Sequence, residues 1–305
     1  MDKSDLQIVP PEYIIIRPPV EGSSHSVLIP VTGGCSWNRC SFCGTYKGMY
    51  GVVQNYAIRP LDSVLRDIDY YAEHNYHGFP VFLAGGNPTS APTEYLVQII
   101  RYIKKKIKDV PRVSCYAKAL DILRKSDEEL KQLADAGLDI VYMGLESGSS
   151  KILRKMKKGT NAESMIKAGK KVLKAGIKLS LYIILGLGGK SLSEEHVIET
   201  ARVLTEINPT IFRFRTLNIV PFSELWKKDE ITLLSPVENL KEERNIIANL
   251  GENVTSQVYN DHMSNYCPIE SSNIKEDREF FIKTLDNYIN DPRIKNMPRI
   301  NLSRM

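Results

Sequence analysis

The feature that most constrains this chain is a repeated change of hydrophobic period, from short β-like runs to amphipathic helical stretches, between about residues 25 and 225. "HSVLIPVT" reads as a strand leading into a cysteine-bearing loop, with "LDSVLRDIDYYAEH" as the helix behind it. The pairs that follow are "PVFLAGG" with "TEYLVQIIRYIKKKI", "RVSCYAKA" with "SDEELKQLADAG", "DIVYMGLE" with "SSKILRKMKKG", and "IKLSLYIILGLGG" with "SEEHVIETARVLTEI". "NAESMIKAGKKVLKAG" adds a helix, and "TIFRFRTLNIVP" supplies the sixth strand. Ser126 and Glu129 form a capping box, and Gly137 suits a helix C-cap. Successive β-then-α units imply parallel strands with right-handed crossovers, and six of them curve without completing an eight-stranded barrel. The expected fold is α/β: a partial (β/α)6 TIM-like barrel over residues 25–225. A Pro-rich lead over residues 1–24 (Pro10, Pro11, Pro18, Pro19) precedes it, and a C-terminal helical and irregular extension over residues 226–305 covers or flanks it.

At the end of the first strand, "VTGGCSWNRCSFCGTYKG" places Cys35, Cys40 and Cys43 within nine residues, and only two other cysteines, Cys115 and Cys267, exist in the chain. In a parallel α/β barrel that end of a strand is the catalytic face. Five cysteines, an odd number with three clustered, argue against a disulfide framework and for a reducing compartment, so a cytoplasmic location is expected. The N-terminus lacks the apolar stretch of a signal peptide, and no apolar run reaches the roughly 18 residues of a membrane span. A net charge of +5 on 305 residues is too mild to indicate nucleic acid by itself. The C-x-x-x-x-C-x-x-C spacing has no second pair for structural zinc, no histidine for c-type haem where Gly44 stands, and one cysteine too many for a thioredoxin-type pair. An iron–sulfur cluster suits thiolates, and three ligands on four irons leave one iron open. Zinc, or coincidence, is the rival reading.

These residues resemble the radical S-adenosylmethionine (SAM) superfamily, which binds a [4Fe-4S] cluster on a three-cysteine loop after the first strand. The usual first gap is one residue shorter than here. The resemblance implies cluster ligation by Cys35, Cys40 and Cys43, with Phe42 near the adenine. "AGGNPT" matches the family's glycine-rich turn, whose backbone oxygens receive the SAM ammonium, and implies that role for Gly85, Gly86 and Asn87. "GLESGSSKILRKMKKGT" resembles the fourth-strand segment of the Elongator-catalytic-subunit, methylthiotransferase and coproporphyrinogen-dehydrogenase branch, which gives Glu146 a place at the SAM ribose or amino acid. "YIILGLGG" resembles the fifth-strand motif along the adenine, implicating Gly186 and Leu187. "NIVP" completes the series with Asn218.

Strand parity adds residues that no motif contains. Side chains alternate along a strand, so Phe212 and Phe214 suit the helix layer and Arg213 and Arg215 face the lumen. The same rule turns Cys115 outward as a packing thiol and leaves Ser114, Tyr116 and Lys118 inside, with Tyr142, Glu146, Ser180 and Tyr182 also inward. Bases around one glutamate require an anion. SAM brings one carboxylate, for which Arg213 and Arg215 are candidates, and an acidic group on the substrate is a reasonable second. Tyr116, Lys118, Tyr182 and Cys267 are candidates for the chemistry, although no catalytic acid or base is compelled. The lysine-rich runs "KKKIK", "RKMKK" and "KAGKK" read as solvated helix faces.

The resemblance implies an oxygen-sensitive enzyme that cleaves SAM reductively and abstracts a hydrogen atom from a small molecule. A flavodoxin- or ferredoxin-type electron donor is implied, with no membrane partner. An RNA-modifying enzyme, or a non-catalytic haem or metal carrier on the same fold, is the alternative.

Overall fold

A computed structural model describes residues 15–21, 25–51, 53–228 and 231–300; Pro10, Pro11 and the rest of the first fourteen residues lie outside them. The chain divides into two compact units.

The first unit comprises Met1–Asn38, Thr45–Tyr142 and Lys171–Lys178. Its strands are β1 (Val27–Pro30), β2 (Thr32–Gly33), β3 (Ala57–Ile58), β4 (Val81–Ala84) and β5 (Val113–Ala117). Strands β1, β4 and β5 run parallel, with Val81 of β4 opposite Val27 on one side and Val113 on the other. They are apolar almost throughout, as strands covered on both faces must be. Strands β2 and β3 form a short antiparallel ribbon beside them. The helices are α1 (Leu61–Glu73), α2 (Thr93–Lys106), α3 (Ala119–Arg124) and α4 (Asp127–Ala136). Helix α2 buries Leu96, Ile99, Ile100 and Ile103, the three- and four-residue spacing of one helix face. The Ser126–Glu129 capping box forms, and Gly137 closes α4 in the left-handed region at φ 106°. Six-residue α3 was not legible, since it is too short to display a period.

Four polar residues of this unit are tied to one carboxylate. Glu21, fully buried, accepts hydrogen bonds from Tyr142 Oη at 2.7 Å, Ser114 Oγ at 2.9 Å and Arg112 Nε at 3.0 Å, and from Ser26 Oγ. Tyr116 stacks edge-on against Phe82 at 5.4 Å and lies 6.1 Å from Tyr142. Parity places Ser114, Tyr116 and Tyr142 on the inward side, but nothing in the sequence pairs them with Glu21 from the lead.

The second unit comprises Arg39–Gly44, Met143–Lys170 and Leu179–Met305. Strand β6 (Ile140–Glu146) ends in it, followed by β7 (Lys178–Leu185), β8 (Ile211–Thr216), β9 (Gln257–Tyr259) and β10 (Glu270–Ser271). Strands β7, β8 and β9 are parallel, with Tyr182 opposite Arg213 and Arg213 opposite Tyr259; β10 returns antiparallel to β9. The sequence leaves the chain beyond residue 225 as helical and irregular pieces only, whereas it adds these two strands. At three and two residues they are too short for an alternating pattern to show. The helices are α5 (Ser150–Lys155), α6 (Ala162–Lys174), α7 (Ser193–Ile207), α8 (Glu224–Lys227), α9 (Pro236–Ala248), α10 (Ile274–Asn290) and α11 (Pro292–Lys295). Helix α9 packs against both α7 and α10. Phe212 and Phe214 are buried with their ring centroids 5.7 Å apart, and alternation along β8 puts Arg213 and Arg215 on its other face. Among the described residues no helix is long and apolar enough to cross a membrane.

Candidate cofactor and substrate site

The cysteine loop begins in the first unit, where Cys35 stands half-buried behind β2. The β4 turn grips this segment. A Cβ on Gly86 would lie 2.4 Å from the Gly34 oxygen and 2.7 Å from the Cys35 Cα, so only glycine allows the two backbones to touch. Gly86 N donates to Gly34 O at 3.0 Å. Gly85, at φ 134°, is equally confined, because a Cβ there would meet Thr32 Oγ1 at 2.1 Å. Asn87 is fully buried: Oδ1 accepts from Ser36 N at 3.0 Å, while Nδ2 donates to Ser36 Oγ at 2.7 Å and to Asp121 Oδ2 at 2.6 Å. The Gly-Gly-Asn turn therefore braces the residue next to Cys35, and buried Asp121 of α3 holds the amide in place. Neither Ser36 nor Asp121 was singled out from the sequence. Lys118 Nζ stands 5.1 Å from the Trp37 ring centroid, a cation–π distance, on the same loop.

The rest of the loop belongs to the second unit. Ser41, buried between Cys40 and Phe42, donates its N–H to Met156 O at 2.9 Å and accepts from Leu225 N at 3.0 Å. Phe42 packs on the apolar group of Ile152, Met156, Leu187, Leu225 and Ile231, so the structure brings together Phe42 and Leu187, two of the residues expected along the adenine. Gly44 lies against the chain at Pro221, where a Cβ would meet the Pro221 oxygen at 2.3 Å. Cys35, Cys40 and Cys43 are all free thiols and none is fully buried. Half-exposed thiols are the donors a [4Fe-4S] cluster takes, and each stretch of the loop that carries them is braced within its own unit, at Ser36 and at Ser41. Among the described residues no three His, Cys, Asp or Glu side chains converge on a single metal ion.

Glu146 ends β6 in the left-handed region, at φ 61°, and its Oε1 lies 2.6 Å from Lys158 Nζ. Gly144 makes this possible: a Cβ there would lie 1.9 Å from Glu146 Oε1 and 2.7 Å from Lys158 Nζ. Lys158 also lies 5.9 Å from the Phe42 ring centroid. This corrects the reading of "RKMKK" as a solvated helix face. Helix α5 stops at Lys155, Lys157 turns at φ 53°, and Lys158 comes back to the glutamate.

Gly186 lies beyond the end of β7 at φ 78°, and its N–H is held by Glu242 Oε2 of α9. Glu242 also accepts from Ser193 Oγ at 2.7 Å, and its Oε2 stands 3.7 Å from His196 Nε2, both side chains being fully buried. His196 Nδ1 lies 2.8 Å from the oxygen of Ser147, the residue after Glu146. Burial pushes the Glu242 carboxyl up to about 7 and the His196 imidazole down to about 4. The Gly186 turn after β7 and Ser147 after β6 are thus each held by a buried titratable residue that the motifs did not contain, while His196 Nε2, which faces Glu242, is buried without a hydrogen-bond partner. A signal existed, because Glu243 shares the apolar face of α9 with Leu240 and Ile247, and Glu242 adjoins that face. A cavity of about 600 Å³ opens beside Gly186 and is lined further by Leu217, Asn218, Ile219 and Leu234. Asn218 donates to Thr216 O at 3.2 Å.

Along the inward side of β7 and β8 the polar groups are under-satisfied. The Arg213 guanidinium lies 4.2 Å from the Tyr259 ring centroid and reaches Asp261 Oδ1 at 3.3 Å. Arg215 lies 4.8 Å from the Tyr182 ring centroid, and no described carboxylate pairs with it. Ser180 Oγ and the Nε atoms of Arg213 and Arg215 are buried without a hydrogen-bond partner. His262 joins this group, and burial together with the Arg215 charge pushes its imidazole down to about 4, which keeps it neutral. Two guanidinium charges therefore face one carboxylate.

Both remaining cysteines are packing residues. Burial pushes the thiols of Cys115 and Cys267 up to about 12, and Cys267, a candidate for the chemistry, has no exposed surface.

Comparison with known proteins accounts for the order of these elements. The family model of the Radical SAM superfamily matches residues 29–203. An uncharacterised protein of Methanocaldococcus jannaschii is 25% identical over 229 residues, covering 72% of this chain and 70% of its own length. Anaerobilin synthase of Escherichia coli O157:H7 is 22% identical, covering 65% of this chain, and the chain spans only 45% of that relative's length. Among solved structures, coproporphyrinogen III oxidase from Escherichia coli shares the fold with a TM-score of 0.55 and 17% identity, over 73% of this chain and 51% of that one. With a family match over more than half of its length on an α/β scaffold of mostly parallel strands, the chain belongs to the radical SAM superfamily, enzymes whose partial barrel binds S-adenosylmethionine and a [4Fe-4S] cluster.

Proposed function

We propose that this protein holds the cluster through Cys35, Cys40 and Cys43 and takes a hydrogen atom from a small, anionic substrate within a barrel spanning residues 25–225, flanked by residues 226–305. A cluster and SAM held by these residues would supply one-electron reductive cleavage of SAM and, from it, the oxidising power for hydrogen-atom abstraction. The chain's own residues bind and orient. Asn87 and Gly86 fix the backbone on either side of Cys35, and Ser41 fixes it between Cys40 and Phe42. Glu146, already paired with Lys158, offers acceptor oxygens to a ribose diol without bringing an unbalanced charge. Glu242 holds the Gly186 turn after β7, and His196 holds Ser147 after β6.

The observation that carries the substrate reading is the surplus of positive charge on the inward side of β8. Arg215 has no carboxylate partner among the described residues, His262 is neutral, and the Arg213 and Arg215 Nε atoms are orphaned. Buried cations of this kind are stable when an anion completes them. SAM brings one carboxylate, and an acidic group on the substrate is the second.

The test is anaerobic reconstitution with iron and sulfide, followed by dithionite and SAM. Formation of 5′-deoxyadenosine and methionine, lost in Cys40→Ala, supports the reading. A carrier of haem or metal on the same fold would bind its cargo without forming 5′-deoxyadenosine, and that result would overturn it. With turnover established, deuterated carboxylic acids that pass label into 5′-deoxyadenosine identify the substrate class.

A further inference from the structure

One wall of the cavity beside Gly186 comes from a part of the chain that the family match does not reach. That match ends at residue 203, whereas helix α9 spans Pro236–Ala248. The helix start is pinned by a second capping box, in which Ser235 Oγ accepts from Glu238 N at 3.3 Å and Ser235 N donates to Glu238 Oε2 at 2.7 Å. Glu242 of this helix holds the Gly186 N–H. Asn239, three residues earlier, lies on the same helix face and so comes to the same turn.

Asn239 is only 3% exposed and lines the cavity. Its Nδ2 donates to Ser235 O at 2.9 Å and to Leu234 O at 3.3 Å. These two carbonyls settle which way the amide is turned, because the reversed side chain would set its oxygen against two acceptors. Asn239 Oδ1 is thereby directed to Gly186, where a Cβ would lie 3.0 Å from it. It has no hydrogen-bond donor among the described residues. The Gly186 N–H is already taken by Glu242, and the two cations that line the cavity, Lys227 and Arg299, do not bond to this oxygen. A buried acceptor without a donor is costly, so this one is open for a ligand.

The cavity suits a purine. Leu217, Ile219 and Leu233 give it an apolar wall and pack on the same group as Phe42, which the family resemblance sets near the adenine. Its volume of about 600 Å³ admits a ligand of nucleoside size. Beside such a wall, a fixed and lone acceptor dictates what can sit against it. It requires an N–H, and the purine of SAM carries that group only as the amine at its 6-position.

We infer that Asn239 reads the 6-amino group of the bound purine and makes this protein selective for adenine over a base with an oxo group at that position. The inference rests on the proposed function, because it takes SAM to be the ligand at the end of β7. It adds a specificity residue from the C-terminal extension, where no motif implicated any. An oxo group in the same place would bring two buried acceptors together, and a site that hydrogen-bonds an N–H rejects such an analogue strongly.

The experiment measures binding by titration calorimetry on the reconstituted protein, with S-adenosylhomocysteine and S-inosylhomocysteine as probes. The two differ at the purine 6-position, an amine in one and an oxo group in the other, and neither carries the sulfonium that reductive cleavage needs. The wild type is expected to prefer the adenine compound by at least about tenfold, and Asn239→Ala to shrink that preference to within about threefold. A ratio of two affinities is unaffected by the fraction of the variant that folds, and the wild-type comparison needs no variant. Equal binding of the two probes by the wild type overturns the inference, as does binding of neither. A preference that survives intact in Asn239→Ala also overturns it, since another group then reads the base. So does a variant that loses affinity for both probes by the same factor, the mark of a purely structural side chain. If dithionite and SAM give no 5′-deoxyadenosine while the base preference and its loss in the variant hold, the proposed function falls and Asn239 keeps its role.

Discussion

The inward polar residues of the two units are treated in opposite ways. In the first unit Glu21 collects Ser26, Arg112, Ser114 and Tyr142, and every one of these groups is satisfied by it. In the second unit Ser180, Arg213 and Arg215 face inward from equivalent strands, yet their buried Oγ and Nε atoms have no partner. A buried polar group without a partner costs about 1–3 kcal/mol, so a chain does not keep three of them for stability. The closed set is architecture, and the open set is what the proposed anionic ligand would complete. Strand parity alone marks both as lumen residues and cannot tell them apart. The difference lies in whether the protein itself supplies the counter-group.

Mutation should break this contrast cleanly. The largest effect is expected from Glu21→Ala, which strands three hydroxyls and the Arg112 guanidinium; loss of one partner from such a buried set costs about 3–5 kcal/mol, read by urea unfolding. Next is Glu242→Gln. The Glu242 carboxyl is raised from 4.5 to about 7 in the folded protein, so below about pH 4.5 it is protonated in both states, while between there and about pH 7 the unfolded chain ionises first. Wild-type stability therefore falls over that window, by on the order of 3 kcal/mol relative to Glu242→Gln, and levels off above it. A gap between the two proteins that is constant from pH 5 to 8 would show that Glu242 is not held as described. Cys267→Ala should cost about 1–2 kcal/mol through the void it leaves, with 5′-deoxyadenosine formation per folded molecule unchanged; loss of turnover at full folding would return that thiol to the chemistry. The smallest effect is expected from Arg215→Gln, and its sign is opposite. Removing an unpaired charge should leave the midpoint unchanged or raise stability by up to about 1 kcal/mol. A loss resembling that of Glu21→Ala would mean that Arg215 already has its partner and that the comparison fails.

Much of this was legible in the chain. The β-then-α alternation, the capping box at Ser126 and the helix stop at Gly137 are local signals, and local signals survive folding. Parity set Phe212 and Phe214 apart from Arg213 and Arg215, and the phenylalanine rings meet each other while the guanidinium groups lie over Tyr259 and Tyr182. What escaped was whatever depends on the chain returning from a distance. Lys158 looked like one basic residue in a run until Gly144 and the turn after α5 brought it to Glu146. Asp121 sits in a helix too short to announce itself, and its value comes from Asn87, a residue 34 positions away. Glu242 is visible as a carboxylate bordering an apolar helix face, but its target, the Gly186 N–H, is 56 positions distant.

The bracing of the cysteine loop bears on how this protein ages. Gly86 and Asn87 fix the backbone at Cys35, and the two hydrogen bonds of Ser41 fix it between Cys40 and Cys43, all by contacts that the polypeptide makes with itself. None of these contacts needs a cluster to form, so oxidised protein that has lost the proposed cluster is expected to regain it with fresh iron, sulfide and reduced thiols, and a failure to do so without refolding would show that the loop depends on its contents.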